Sequence, residues 1–545
     1  MVVKLPAPVS PAGLPAVYPD FRLPTPALSS LAARRWLVGQ FEVIFEGGVS
    51  GGPEPAGCGF HRLVRVPARE VGAEGRLVGR IFHLSDSQLA DPKSPARYEW
   101  VNLFAGAPAW SELIPGYRPQ EFLVAAALAA MVRTVNRADR VEEGFEVAVF
   151  TGDAIDNAQT NELDNFLAAL GGGEVCIDSG SGDRSYVYAD GFAEGRFWHP
   201  EPGAGADVYK RDYSFPSVEG LLAQAFAPFV SEGLGISWYF VNGNHELLVQ
   251  GLSPALAELD AIALGSLKQV GPPKSLEDPL RAALDRPAEL FTSGGVREVP
   301  SDPNRALVAR GQIAAALQSA PGLPRGHGVS AGSEVLYYEA LLSDEVVLVA
   351  LDTAYAAGGS SGAIAPEQAR WLLRVLASHS SAYWDESGEL VEGDGTDRLI
   401  VVSGHHPLHT IGNERALAEG YCGEEWLARA LLRFPNVILY LNGHTHEHRV
   451  RLLRREDGSG VYELTTGSIM DWPNQGRTID IVRGRNRLSL VCNPLDIDVP
   501  ADPANSDGLE SLAAWHRLLA ANAPMKPSRP MIRQVLNLPL PSWLG

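Results

Sequence analysis

The chain has 545 residues, 45% hydrophobic and 20% charged, so it can bury a large core and has the composition of an ordinary globular enzyme. With 45 Lys+Arg against 65 Asp+Glu, its formal charge of -20 argues against a generic basic surface for DNA or RNA. Cys58, Cys176, Cys422 and Cys492 are far apart and include no CxxC pair, which argues against a zinc cluster or a dense disulfide framework and predicts free thiols.

Residues 1–35 read as an extended arm, with prolines at 6, 8, 11, 15, 19, 24 and 26 blocking regular helix. Residues 1–20 hold no apolar stretch of the roughly 7–15 residues a signal peptide needs. No window reaches about 18 uninterrupted apolar residues, so no membrane span is expected and the protein is placed in the cytoplasm. Trp36 to Glu46 is a β-like run, and Gly47 to Gly59 a glycine-rich turn region; residues 1–79 either add strands to the core or form a small lid.

From residue 80 a βα rhythm begins. Arg80 to Ser85 is a short apolar strand ending at Asp86, and Glu121 to Ala138 reads as a helix. Phe145 to Thr151 is a strand ending at Gly152-Asp153, and Ser237 to Val241 one ending at Asn242-Gly243-Asn244-His245-Glu246. Glu345 to Leu351 ends at Asp352, and Glu367 to Leu376 is an amphipathic helix. Arg398 to Ser403 ends at Gly404-His405-His406, and Asn436 to Leu441 at Asn442-Gly443-His444-Thr445-His446. Polar clusters at strand ends are where open α/β sheets place their sites. These blocks run from residue 86 to 446, so one catalytic domain, 80–498, is expected, with insertions at about 171–216 and 247–332. The tail, 499–545, carries one helix (Gly508 to Ala521) and then a proline-spaced extension.

In order, the blocks Asp86-Ser87-Gln88, Gly152-Asp153 with Asp156-Asn157, Gly243-Asn244-His245-Glu246, Gly404-His405-His406 and Gly443-His444-Thr445-His446 mix carboxylates, amides and imidazoles. Two divalent ions close together need about six protein ligands and one shared group. Oxygen donors mixed with neutral imidazoles suit Mn, Fe or Zn rather than Ca. The sequence of blocks resembles the calcineurin-like metallophosphoesterase pattern DxH, GDxxDN, GNHE, GHH and GHTH, and four of the five match in full. That resemblance implies an α/β four-layer sandwich, two mixed β-sheets packed face to face and flanked by helices. It also implies that Asp153 bridges two metals, that Asp86, Gln88 and His446 complete one site, and that Asn244, His405 and His444 complete the other. His245 is then left free as the proton donor or as the group steadying charge on the leaving oxygen, and a metal-bridging hydroxide attacks phosphorus. Two dications with two carboxylates and one hydroxide leave a net positive site, which attracts a phosphate despite the acidic protein.

Gln88 departs from the pattern, which has histidine there. Its neutral carbonyl oxygen is a harder ligand and tilts that site toward Mn or Fe, with Zn a third option. A DxQ opening also resembles the manganese-dependent ADP-ribose/CDP-alcohol diphosphatase branch. The expected activity is therefore hydrolysis of a small phosphodiester or nucleotide diphosphate derivative. A phosphomonoesterase is the close alternative, and a non-catalytic scaffold of the same shape the more distant one. Asp156 and Asn157 are expected to orient the loop bearing Asp153, and His406 to stand behind the ligands or face substrate. Lys210 and Arg211, among aromatics of the first insertion, are candidates for a distal phosphate. The expected partner is a small phosphorylated substrate and not nucleic acid; the sequence leaves oligomeric state open.

Overall fold

The computed structural model describes residues 41–46, 62–67, 75–138, 145–180, 195, 197–203, 207–273, 276–292, 295–455, 459–523, 531 and 534–539. The arm 1–35, the turn region Gly47 to Gly59 and Cys58 lie outside these residues. Of the β-like run at Trp36, the part Phe41–Glu46 is a strand, paired antiparallel with Arg62–Pro67 in a small sheet of its own.

Two larger sheets build the body. In chain order their strands are β1 (Arg76–Leu84), β2 (Glu146–Phe150), β3 (Ser237–Phe240) and β4 (Tyr338–Leu341). Then come β5 (Val346–Ala350), β6 (Leu399–Ser403), β7 (Val437–Asn442) and β8 (Arg449–Arg454). Last are β9 (Gly460–Thr465), β10 (Gln475–Arg483), β11 (Arg487–Asp496) and β12 (Gln534–Pro539). The first sheet runs β12-β11-β10-β1-β2-β3 and the second β4-β5-β6-β7-β9-β8. Strands β1, β2 and β3 are parallel, as are β5, β6, β7 and β9; the remaining pairings are antiparallel.

Side-chain alternation sets the layers. Along β5, Val346, Leu348 and Ala350 join the core shared with Ile81, Val149 and Ile479 of the first sheet. The intervening Val347 and Val349 point the other way, onto α2 (Pro366–Ser378, through Leu372 and Leu376) and α3 (Glu424–Leu432, through Leu427 and Leu431). Both faces of β5 are therefore apolar, as parallel strands covered on two sides require. On the first sheet's side, α1 (Val124–Asn136) is alanine-rich and buried nearly all round, with α4 (Gly508–Ala520) packed on it. The described residues thus build two six-stranded mixed sheets with helices outside, the arrangement that the motif resemblance implies. Among the described residues, no helix is long and apolar enough to cross a membrane. Cys176, Cys422 and Cys492 are free thiols.

The described parts of both insertions fold back into packed structure. Trp198 of the first is fully buried against Phe122 and Phe215. The second contributes Val249, Leu259 and Leu290 to a satellite core with Tyr98 and Trp100. The extension beyond α4 returns as β12, an edge strand of the first sheet.

Helix α4 also buries His516, whose ring nitrogens have no partner; burial pushes it from 6.5 down to about 3. The unfolded chain takes up this proton at the ordinary histidine value and the folded protein far lower, so stability falls as pH drops through that window. We expect His516→Phe to flatten that loss by up to about 1 kcal/mol per pH unit, read from urea midpoints at pH 7 and pH 4.5. Equal slopes for the two proteins would refute it.

Candidate metal centre

The parallel strands β1, β2 and β3 of one sheet and β6 and β7 of the other deliver the motif residues from their carboxyl ends to one place. The two rims are stitched together there. The His405 Nδ1–H donates to the Thr151 carbonyl at 2.6 Å, and the His444 backbone N–H donates to the Asp86 carboxylate at 3.0 Å. The Met470 N–H donates to the Asp86 carbonyl at 3.1 Å.

Five of the expected ligands leave their strands through the left-handed region: Asp86, Gln88, Asp153, His444 and His446, with φ of 53°, 42°, 53°, 68° and 55°. Such conformations cost about 1–3 kcal/mol each and persist where the surroundings over-determine them. Close glycines make room for the turns. A Cβ on Gly443 would run into Ser85 Oγ and Asp86 Oδ2, and one on Gly243 into Asp153 Oδ1. Glu246, which the sequence reading left without a role, holds the arrangement from below. Its carboxylate accepts the backbone N–H groups of Gly243, Asp153 and Ala154 at 2.6–3.0 Å. Burial and the adjacent Asp153 push Glu246 up to about 7.

Asp153 sits at the middle. Its Oδ2 lies 3.0 Å from His405 Nε2 and 3.8 Å from His245 Nε2, and its Oδ1 accepts the His245 N–H at 3.0 Å. Burial acts to raise its carboxyl, but His405 and His245 outweigh it and hold it well below the usual carboxylate range. Ligand atoms of Asp86, Asp153 and His405 lie within 4.8 Å of one another, as do those of His405, His406 and His444. His446 Nε2 is 3.3 Å from Asp86 Oδ1, and its Nδ1–H donates to Asp471 Oδ2 at 2.6 Å. Against the pull of burial, their carboxylate partners lift His405 and His446 to about 9. Burial and the neighbouring His406 hold His444 well below its ordinary value.

The amides complete the donor set. Asn244 Nδ2 donates to the Gly251 carbonyl at 2.8 Å and Gln88 Nε2 lies 3.1 Å from His245 Nε2, while Asn244 Oδ1 and Gln88 Oε1 are buried without a partner. Buried acceptors of this kind are costly unless something satisfies them. Two carboxylates, two bare amide oxygens and three imidazoles are a donor set that fits divalent ions of the Mn, Fe or Zn kind.

The other expected residues divide. Asp156 Oδ1 lies 3.3 Å from His245 Nδ1, and its carbonyl accepts that Nδ1–H at 2.8 Å. Burial opposes ionisation of Asp156, but Arg97, 3.2 Å from Oδ2, and His245 bring it down to about 2. Asn157 braces the loop, donating to Gln159 Oε1 at 3.0 Å and accepting the Gln250 N–H at 3.2 Å. His406 is boxed in: Thr353 Oγ1 donates to Nδ1 at 2.7 Å and Nε2–H donates to the Ser360 carbonyl at 3.0 Å. Lys210 and Arg211 are not brought to the centre. Lys210 bonds to the Glu201 carbonyl and Arg211 pairs with Asp212 at 2.7 Å, within their own loop. Asp352, which ends β5, accepts from Asn242 and Arg310.

A cleft of about 440 Å³ opens over the centre, lined by Gln88, Asp153, Asn244, His245, His444 and His446 together with Leu113, Ile114, Arg118, Leu252, Asp471 and Trp472. Arg118 had no sequence signal. It donates through Nε to both Asp471 oxygens at 3.0 and 3.1 Å. Asp471 is acidified below the usual range, burial being overcome by Arg118 and His446. A carboxylate behind a ligating imidazole fixes its tautomer and basicity. We expect Asp471→Asn to weaken metal binding about 10–100-fold without unfolding the protein, measured by titration calorimetry with Mn. Unchanged affinity would remove Asp471 from this role.

No protein-family model matches the chain, and no curated protein matches it. Among solved structures, the chain is similar to the Termus thermophilus sulfate thiohydrolase SoxB in complex with glycerol, at a TM-score of 0.30 and 11% identity. The match covers 83% of this chain and 62% of that one, so the chain spans less than two thirds of that protein's length.

Proposed function

We propose that the chain is a dinuclear-metal-dependent phosphoesterase that hydrolyses a small phosphodiester or nucleotide diphosphate derivative. The observation that carries this reading is the donor set at the joined sheet rims, above all the bare Gln88 Oε1 and Asn244 Oδ1 beside Asp86 and Asp153. Asp86, Gln88 and His446 would hold one ion and Asn244, His405 and His444 the other, with Asp153 shared. Two such ions lower the pKa of coordinated water toward neutrality and polarise a phosphoryl oxygen.

The chain's own residues do the rest. His245 has its Nδ1 anchored on Asp156 and its Nε2 toward the cleft, where it accepts from the Gln88 amide; once protonated it would give up that bond and serve as the proton donor to the leaving oxygen. Burial pulls His245 down, but Asp153 and Asp156 outweigh it and raise it above its ordinary value. Leu113, Ile114, Leu252 and Trp472 offer an apolar wall to an organic leaving group. Arg118, the cation in the lining, is already tied to Asp471. That pairing favours a diester, with one negative charge at phosphorus, over a doubly charged monoester.

Hydrolysis of bis-p-nitrophenyl phosphate and of p-nitrophenyl phosphate by metal-stripped protein reloaded with Mn tests the reading. Faster cleavage of the diester is expected. Monoester cleavage alone would make the chain a phosphatase of the same fold, and no turnover with Mn, Fe or Zn would sink the enzyme reading.

A further inference from the structure

Beneath the loops of the metal centre, the space between the sheets holds a charge that the proposed chemistry does not use. Arg477, on β10, is 1% exposed. Its Nη2 donates to the Thr465 carbonyl and to His448 Nδ1, the latter at 3.0 Å, whereas its Nε and Nη1 have no partner. Among the described residues no carboxylate pairs with it. The one group that favours its charge is Cys492, and burial pushes that thiol up to about 12, so it stays neutral. Burial lowers Arg477 itself only to about 10, which leaves it a cation at neutral pH.

Its neighbours cannot supply the missing charge. His83 stands opposite Arg477 across the β1–β10 ladder and lies 3.0 Å, through Nε2, from Thr151 Oγ1; its Nδ1 has no partner. His448 Nδ1 accepts from both Arg477 and the Gly467 N–H, so its ring proton is on Nε2, beside the Gln475 side chain. The cluster therefore carries the Arg477 charge, with bare N–H donors on Arg477 Nε and Nη1. A buried, unpaired cation is strongly unfavourable, and donors without acceptors add to that cost.

We propose that Arg477, with His448 and His83, seats a small monovalent anion of chloride size between the two sheets. Water would satisfy the donors but not the charge; an anion satisfies both. The site ties into the strand ends above it. Thr151, touched by His83, offers its carbonyl to His405; His448 follows His446 by two residues; and Thr465 leads to Ser468, whose Oγ–H donates to the Asp86 carbonyl at 2.7 Å. The anion is thus a structural counter-ion that steadies the rims, and it does not depend on what the metal centre hydrolyses.

Crystals of the full chain grown or soaked in bromide, with anomalous data, locate the ion directly. A peak within hydrogen-bonding reach of Arg477 Nε or Nη1 is expected; a peak at the Asp153 centre does not count. In parallel, melting temperatures are compared in chloride and in gluconate at equal ionic strength, for the wild type and Arg477→Met. The wild type should gain roughly 1 °C for each tenfold rise in chloride beyond half-saturation, and Arg477→Met should show no such gain. Water alone on Arg477 at high bromide, or the same chloride response in both proteins, would overturn the proposal. If Arg477→Met does not fold, the bromide map of the wild type decides alone.

Discussion

Asp153→Ala is expected to lower phosphodiester hydrolysis by about 10³-fold or more and to leave fewer than two metal ions per chain. The side chain is buried, its Oδ2 is 3.0 Å from His405 Nε2, and its Oδ1 takes the His245 N–H. Removing it deletes the group proposed to be shared by both sites and frees the His405 imidazole and the His245 backbone N–H that it now holds. Metal ions contribute several kcal/mol of charge stabilisation in phosphoryl transfer, and each ~1.4 kcal/mol is tenfold in rate. Elemental analysis and turnover on the same sample check both parts, with circular dichroism as the control for folding. A folded variant that keeps two ions and full activity would exclude Asp153 as the bridge.

His245→Gln is expected to behave differently. Its side chain contacts Gln88, Asp153 and Asp156 but belongs to neither proposed ligand set, so metal content should hold while kcat falls about 10²–10⁴-fold. The loss should grow with the basicity of the leaving group, because p-nitrophenolate departs without a proton and an alkoxide does not. An equal loss for methyl p-nitrophenyl phosphate and a dialkyl phosphate would mean that His245 positions rather than protonates. A large drop in metal content would mean that it acts on the ligand shell.

The ends of the strands were the readable part of this chain. A block such as GNHE or GHTH announces itself because a strand must turn sharply there, and the residues that tolerate the turn are of types that can bind metal. Strand positions followed from apolar runs in β2, β5, β6 and β7, which are buried on both faces. What was not legible had no local signal. β8 reads RVRLLR and β12 reads QVLNLP, edge strands that a neighbouring strand defines rather than their own periodicity. Arg118 and Asp471 are 353 residues apart, and nothing near either marks the other. The aromatics around Lys210 and Arg211 could pack the insertion itself or stack a base, and Trp198 and Phe215 fill its interior. Composition cannot tell the two uses apart, since a buried ring and a stacking ring are the same residue. Glu246 was passed over because a carboxylate that takes several N–H groups looks, in sequence, like any other acid beside a histidine.

The ladder between β1 and β10 joins residues almost the length of the chain apart: Arg80 and Asp480, paired at 2.6 Å, are separated by 400 positions. On the ribosome, the strand that ends at Asp86 therefore emerges long before the partner that covers its open edge. The second sheet can gather its parallel strands from a contiguous stretch, but the first must wait with an unpaired apolar edge until residues 475–483 have appeared. Late closure of this kind is slow and exposes a template for wrong strand pairing. During synthesis, the exposed edge of β1 stays open to wrong pairing until Gln475–Arg483 closes it.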